Sequence, residues 1–330
     1  MARLGLIARA DNSGLGTLSL EFYKHLIPTK TLVITNQVYK SFPERFNENK
    51  AYKTDELSTE QINDFLDGLD VVLALETPYN WQIFVLARAR KIKTVLVSMY
   101  ECNAKPLLCY PDLIICPSKI DYNSFAYENV DKILLPLPVN RKTLSFKQKH
   151  RARIFLHNVG HGGLLGRNGT SELIRAISLV KNKDVKFIIH SQIPLIQIDD
   201  ARITVIVGNV DNYADLYSEG DVYIMPQRLQ QISLPVNEAM SCGLPVITTN
   251  WEPFKNCLPS TWLIETCNVR VVKLYDRDIN YCEIDLLELA NKIDWFADMD
   301  INKDSLIADS IADEISWDKL LTRWQNVLYN

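Results

Sequence analysis

Three stretches of this sequence hold residues whose types and spacing suit a phosphorylated ligand. One is Gly160-His-Gly-Gly-Leu-Leu-Gly-Arg-Asn-Gly-Thr170, a glycine-rich loop with a single arginine that feeds an apolar-periodic segment. Backbone N–H groups and the Arg167 guanidinium would share the charge of a diphosphate, the alternative being a purely structural loop. A second is Pro226-Gln-Arg-Leu-Gln-Gln-Ile-Ser-Leu-Pro-Val-Asn-Glu238, which continues through Gly243-Leu-Pro245. Proline at 235 suits the first turn of a helix. Glu238 early in that helix would accept two ribose hydroxyls, or would simply be an acid favoured by the helix dipole. The third is Arg9-Ala-Asp-Asn-Ser-Gly-Leu-Gly-Thr17. Gly14 and Gly16 there allow close backbone approach, and a following helix N-terminus would favour an anion. It is no nicotinamide fingerprint, because Ser19 stands at the third glycine position and no ribose-binding acid follows the next strand. A lone G-x-G is also compatible with an ordinary turn.

The elements that must position these residues alternate along the chain. Arg3–Ala8, Thr31–Thr35, Asp70–Leu75, Thr94–Ser98, Asp112–Pro117 and Lys132–Pro136 are short Val/Ile/Leu-rich runs without period-2 alternation, as buried parallel strands require. Helical patterns fall between them at 17–26, 57–68, 79–91 and 119–127. The pattern restarts with strands at Arg153–Asn158, Lys186–His190, Ile203–Val207, Asp221–Met225 and Leu244–Thr248. Helices are expected at 169–181, 211–218, 235–241, 284–297, 304–313 and 315–328. Repeated β-α order of this kind predicts doubly wound α/β architecture in two Rossmann-like halves. The echo between Pro111-Asp-Leu-Ile-Ile-Cys-Pro-Ser118 and Gly220-Asp-Val-Tyr-Ile-Met-Pro-Gln227 agrees. In such sheets ligands bind beyond the carboxyl ends of the strands, which makes Asp11, Glu76 and His161 candidate catalytic groups.

A length of 330 residues suits two domains. With 47% hydrophobic and 23% charged residues, disordered and fibrous classes are excluded. No apolar run approaches the roughly 20 residues of a membrane span. The start at Met1 shows no signal-peptide pattern, and seven cysteines without a C-x-x-C pair or zinc spacing read as reduced thiols, so a cytoplasmic protein without a metal is expected. The net charge of −4 divides unevenly: residues 1–150 hold 19 Lys+Arg and 16 Asp+Glu (+3), and residues 151–330 hold 17 and 24 (−7). The join near 139–152 is either a solvated linker or a cationic strip, with six Lys/Arg between Arg141 and Arg153.

Glu238-Ala-Met-Ser-Cys-Gly-Leu-Pro-Val-Ile247 resembles the donor-binding signature of the retaining GT-B glycosyltransferases of family 4. Asn158-Val-Gly160, the glycine-rich loop, Gly208-Asn-Val210, Leu216-Tyr217, Asp221 and Ser316-Trp-Asp318 are also similar. The resemblance implies a GT-B fold: an acceptor domain at 1–140, a nucleotide-sugar domain at 150–314, and a last helix, 315–330, packing back on the first. It implies transfer of a sugar with retention, no required cofactor, and a UDP-sugar rather than GDP-sugar donor. Gly14, Gly16, Gly160, Arg167, Asn168 and Arg228 would serve the diphosphate, Asn209 and Val210 the base, Glu238 the ribose, and Gln230, Ser233 and Leu234 the sugar. Two positions depart from the pattern. Gln230 stands where the family has Glu, and Asn168 replaces a cation that Arg228 would have to supply. A catalytically degenerate sugar-nucleotide binding protein and a sugar-nucleotide epimerase are therefore alternatives. The acceptor is expected to be a glycan or small molecule, or a hydroxymethylated DNA base contacted by the strip and by Arg88-Ala-Arg-Lys-Ile-Lys93.

Overall fold

The apolar runs pair side by side, every one parallel to its neighbours, into two six-stranded sheets. In this computed structural model all residues are described except 1, 36–39, 104, 105, 127, 197, 275 and 276. The chain divides into two units. The first comprises Met1–Leu137, Lys273–Arg277 and Trp317–Asn330, and the second Pro138–Val272 and Asp278–Ser316.

In the first unit, strands β1 (Leu4–Arg9), β2 (Lys30–Ile34), β3 (Val71–Glu76), β4 (Lys93–Ser98), β5 (Leu113–Cys116) and β6 (Asp131–Leu134) form a sheet in the order β2-β1-β3-β4-β5-β6. The crossovers carry α1 (Gly14–Leu26), α2 (Thr59–Leu66), α3 (Gln82–Ala89) and α4 (Lys119–Ser124). The central strands are buried on both faces, which is why they read as unbroken apolar runs. Strand order reverses between β1 and β3, so the crevice of this sheet lies beyond Arg9 and Glu76.

In the second unit, β7 (Ile154–Gly160), β8 (Lys186–Ser191), β9 (Ile203–Val207), β10 (Val222–Met225), β11 (Val246–Thr249) and β12 (Leu263–Ile264) stand in the order β12-β11-β10-β7-β8-β9. Helices α5 (Thr170–Ile177), α6 (Asp215–Ser218), α7 (Leu234–Ser241), α8 (Leu286–Asp298) and α9 (Asn302–Glu314) accompany them. The reversal here falls between β7 and β10. His157 braces that junction from within. It is 1% exposed; its Nδ1–H donates to the carbonyl of Ile224 at 2.8 Å, and its Nε2 accepts from the Thr170 hydroxyl at 2.8 Å. Burial pushes its pKa down to about 4, so the ring is neutral at physiological pH.

Helix α10 (Trp317–Tyr329) belongs to the first unit. Phe22 of α1 meets the rings of Trp317 and Trp324 edge-on at 5.0 and 4.8 Å, and the Lys93 ammonium donates to the Val327 carbonyl at 3.0 Å.

Several expected boundaries move, for local reasons. The first helix starts at Gly14 rather than 17, with Ser13 as its cap. The third starts at Gln82 rather than 79, because Tyr79 has a left-handed φ of 59°. The fifth and sixth are shorter than 169–181 and 211–218. Of the helix expected over 119–127, Tyr127 lies outside the described residues. Sequence reading missed β12 and an entire hairpin, β13 (Thr266–Leu274) with β14 (Arg277–Ile284). The alternation Ile279-Asn280-Tyr281 is the signal that was available.

The join at 139–152 is not a solvated linker, and two of the cations of its strip are taken up by the second unit while Lys142, Lys147, Arg151 and Arg153 stay exposed. Val139 and Leu144 enter the core of the second unit. Arg141 pairs with Asp309 and, at 2.7 Å, with Asp313 of α9. Lys149 is buried, its backbone N–H donates to Ser305 Oγ at 3.0 Å, and desolvation lowers its ammonium pKa. The basic run in the first unit is occupied too. Arg88 donates to the Tyr110 carbonyl, Arg90 to Asn63, and Lys93 to α10.

Candidate functional site

At the carboxyl end of β7 the chain leaves Gly160 and turns through a run of left-handed residues, Gly160, Gly162, Gly163, Leu165, Gly166 and Gly169. Successive turns of this kind point backbone N–H groups into a concavity suited to an anion. Gly169 has no substitute, since a Cβ there would come within 2.1 Å of the Pro226 carbonyl oxygen at the end of β10. The glycine thus brings the start of α5 against the neighbouring strand at the switch point. Asn168, the position of the missing cation, donates its amide to the Val159 carbonyl at 2.9 Å and pins the loop to β7. His161 is half-buried in the turn after β7.

Arg167 carries the charge of this loop. Its Nη1 donates to Gln231 Oε1 at 3.1 Å, its Nε is buried without a hydrogen bond, and it pairs with no carboxylate among the described residues. Arg228 is different. Its Nη1 lies 2.5 Å from Glu172 Oε1 on the first turn of α5, its Nε donates to the Cys282 carbonyl, and its guanidinium stacks on Tyr281 at 4.5 Å. The charge expected to replace the missing cation is therefore largely neutralised by Glu172. No feature of the local sequence pointed to Glu172.

The loop after β10 leads into α7. Gln227 braces it by donating to the carbonyls of Leu229 and Gln231 at 2.9 and 2.6 Å. Ser233 is the N-cap residue of α7 but its side chain makes no capping bond, and Leu234 and Pro235 open the first turn. Glu238 lies beyond that first turn, so helix-dipole stabilisation does not account for it. Its Oε2 accepts a 2.5 Å hydrogen bond from the hydroxyl of Tyr217, a fully buried residue of α6. Burial, and then the Glu238 charge, raise the Tyr217 pKa well above the ordinary phenol value, so the phenol stays a donor and fixes the carboxylate. Asn158, at the end of β7, is buried with neither end of its amide in a hydrogen bond. Past β9, Asn209 is exposed and accepts from the Gln192 amide at 2.6 Å, with Val210 following it.

In the first unit the candidates Asp11 and Glu76 end β1 and β3. Asp11 is 3% exposed and fully engaged: Arg9 donates to Oδ2, and the N–H and hydroxyl of Ser13 donate to Oδ1. Gly16 is required because a Cβ would lie 2.0 Å from the Asp11 carbonyl oxygen. Gly14 and Gly16 thus lie in the first turn of a helix capped by Ser13, whose hydroxyl accepts from the Gly16 N–H and is itself held by Asp11. Glu76 has a left-handed φ of 68°, and its carbonyl accepts from the buried Asn103 amide at 3.0 Å.

Residues 157–267, which include the glycine-rich loop and the whole of α7, match the family Glycosyl transferases group 1. The matched segment lies wholly within the second unit and covers a third of the chain. No curated protein sequence matches the chain. Among solved structures it is similar to a glycosyltransferase from Rickettsia africae, with a TM-score of 0.69 and 12% identity over 99% of this chain and 97% of that one. It is also similar to HepE of Anabaena in complex with UDP-glucose, with a TM-score of 0.68 and 12% identity over 99% of both chains. Sucrose-phosphate synthase from Thermosynechococcus elongatus gives 0.64 and 14% over 99% and 98%. The fold is GT-B, two Rossmann-like domains. Among the described residues no helix is long and apolar enough to cross a membrane, and no cluster of three His, Cys, Asp or Glu side chains could hold a metal.

Proposed function

We propose that the group 1 domain binds a UDP-sugar and that the enzyme transfers the sugar, with retention, to a hydroxyl of a glycan or small-molecule acceptor held by the first unit. The observation that carries this reading is Arg167. It is a part-buried guanidinium with no carboxylate partner among the described residues, set in a nest of left-handed glycines beside the uncapped start of α7. As the glycosidic bond breaks, negative charge accumulates on the leaving diphosphate, and donors fixed before the reaction stabilise it at no cost in reorganisation. Arg167, the 160–169 amides and the first turn of α7 supply those donors. Glu238, oriented by Tyr217, accepts from the ribose hydroxyls, while Gln230, Ser233 and Leu234 line the sugar. Support for uridine and glucose comes from the UDP-glucose held by the structurally similar HepE.

A DNA acceptor is the less favoured reading because several of the cations it would use are engaged by protein groups, Arg141 by α9, Lys149 in the interior, and Arg88, Arg90 and Lys93 by carbonyls and Asn63, while Lys142, Lys147, Arg151 and Arg153 stay exposed. The test is mass spectrometry of products after incubation with UDP- and GDP-sugars and a panel of glycans, small alcohols and hydroxymethylated duplex DNA. Release of UDP from UDP-glucose is expected, with mass gained by a glycan or small acceptor and none by the DNA. Arg167→Ala should weaken UDP about tenfold, the loss of a charge-assisted hydrogen bond, and leave uridine nearly unchanged. Binding of UDP without turnover of any donor would mark the degenerate binding protein, to which Gln230 also points.

A further inference from the structure

Two positive features meet beyond the carboxyl end of β7, and a single carboxylate opposes both. One is the start of α5, which opens on Gly169 without a side-chain cap. The other is the Arg228 guanidinium. The Arg228 backbone N–H donates to the Arg167 carbonyl at 2.8 Å, so the two arginines sit on adjoining loops. A Cβ at Gly166 would lie 3.8 Å from Arg228 Nη1, which places that guanidinium beside the glycine-rich turn. The carboxylate is Glu172. It is 9% exposed, stands in the first turn of α5, and lies 2.5 Å from Arg228 Nη1.

Arg228 has other anchors. Its Nε donates to the Cys282 carbonyl at 3.3 Å and its guanidinium rests on the Tyr281 ring. What Glu172 alone adds is charge. Two guanidiniums at one phosphate site, reinforced by a helix start, would present a strongly positive surface. With Glu172 ionised against Arg228, the excess falls to that of Arg167. Both partners of the pair are mostly covered, so salt screens them little.

The excess matters because donor and product differ in charge. The terminal phosphate of free UDP is a monoester, largely a dianion near neutral pH. In a UDP-sugar the same phosphate is esterified and carries one negative charge fewer. A more positive site therefore tightens on UDP more than on the UDP-sugar, and released product would hold the site against the next donor.

Resting on the donor-site reading above, we infer that Glu172 sets how the site ranks product against donor: by neutralising Arg228 and the start of α5, it loosens the grip on free UDP and lets fresh UDP-sugar displace it. The diphosphate contact belongs to that reading; the carboxylate that opposes it is the new element.

The experiment is calorimetry with UDP, UDP-glucose and uridine on the wild type, Glu172→Gln and the Glu172→Gln/Arg228→Gln double variant. Glutamine keeps the size of the side chain and an acceptor for Arg228, and removes the charge. Glu172→Gln should bind UDP about tenfold more tightly, UDP-glucose about threefold more tightly and uridine within about twofold of the wild type. The double variant leaves no buried charge unpaired and should return UDP to within about threefold of the wild type. A folded Glu172→Gln variant with unchanged or weaker UDP binding would reduce the carboxylate to a structural partner of Arg228 and overturn the inference. Equal tightening of UDP and UDP-glucose would overturn it as well. If Glu172→Gln does not fold, the double variant decides: a loss of UDP affinity beyond about tenfold would mean that Arg228 acts at full charge despite Glu172. A wild type that binds neither UDP nor UDP-glucose would instead remove the donor-site reading itself, and the inference with it.

Discussion

Replacing Glu238 by alanine should lower the affinity for UDP by a hundredfold or more and leave the fold intact. Two ribose hydroxyls donating to one carboxylate make two charge-assisted hydrogen bonds, each worth roughly 1.5–3 kcal/mol, so their joint loss is at least about 3 kcal/mol. The fold survives because Glu238 is only part-buried on its helix. Calorimetry on the wild type and the variant, with UDP and a 2′,3′-dideoxy counterpart, measures the effect. The wild type should prefer UDP strongly and the variant should bind both ligands alike. A variant that still favours the ribose would move the hydroxyl contact to another residue.

Lowering the pH from 6.5 to 4 should cost the wild-type second unit about 3 kcal/mol of stability that a His157→Asn variant does not lose. The folded pKa of about 4 lies below the ordinary value of 6.5. As pH falls through 6.5 the unfolded chain takes up a proton that the native ring refuses until about pH 4. The contribution is therefore complete above pH 6.5 and disappears across that window, and 2.5 pH units at about 1.4 kcal/mol each set its size. Asparagine retains a donor for the Ile224 carbonyl but has no proton to gain. Denaturant titrations of both proteins at the two pH values give the difference directly. Parallel losses would mean that His157 is solvated or protonated in the native state.

Local sequence reported the buried strands well. Val71–Glu76 and Val222–Met225 are covered on both faces, and burial on both faces leaves a continuous apolar run. It reported the hairpin badly, because β13 is largely exposed, with Val269 and Val271 more than half accessible, and such a pattern resembles loop unless its partner is known. Arg167 and Glu238 stand out in the sequence through their glycine and proline neighbours. What surrounds them does not. The Glu172–Arg228 pair spans 56 residues, and Tyr217 meets Glu238 only because α6 and α7 pack at the ends of the same sheet. Lys149 was read as part of a surface strip because a run of cations says nothing about which of them a neighbouring helix will cover.

The carboxylate of Asp11 sits just ahead of α1, neutralised by Arg9 and holding the capping residue Ser13. Both halves of the chain end a first strand in a glycine-bearing turn and a helix, and duplicated architecture of this kind offers two seats for a phosphate. In the first half the protein's own anion stands beside that place and holds the Ser13 cap. On the proposed donor reading, a calorimetric titration with UDP is therefore expected to saturate at one molecule per chain.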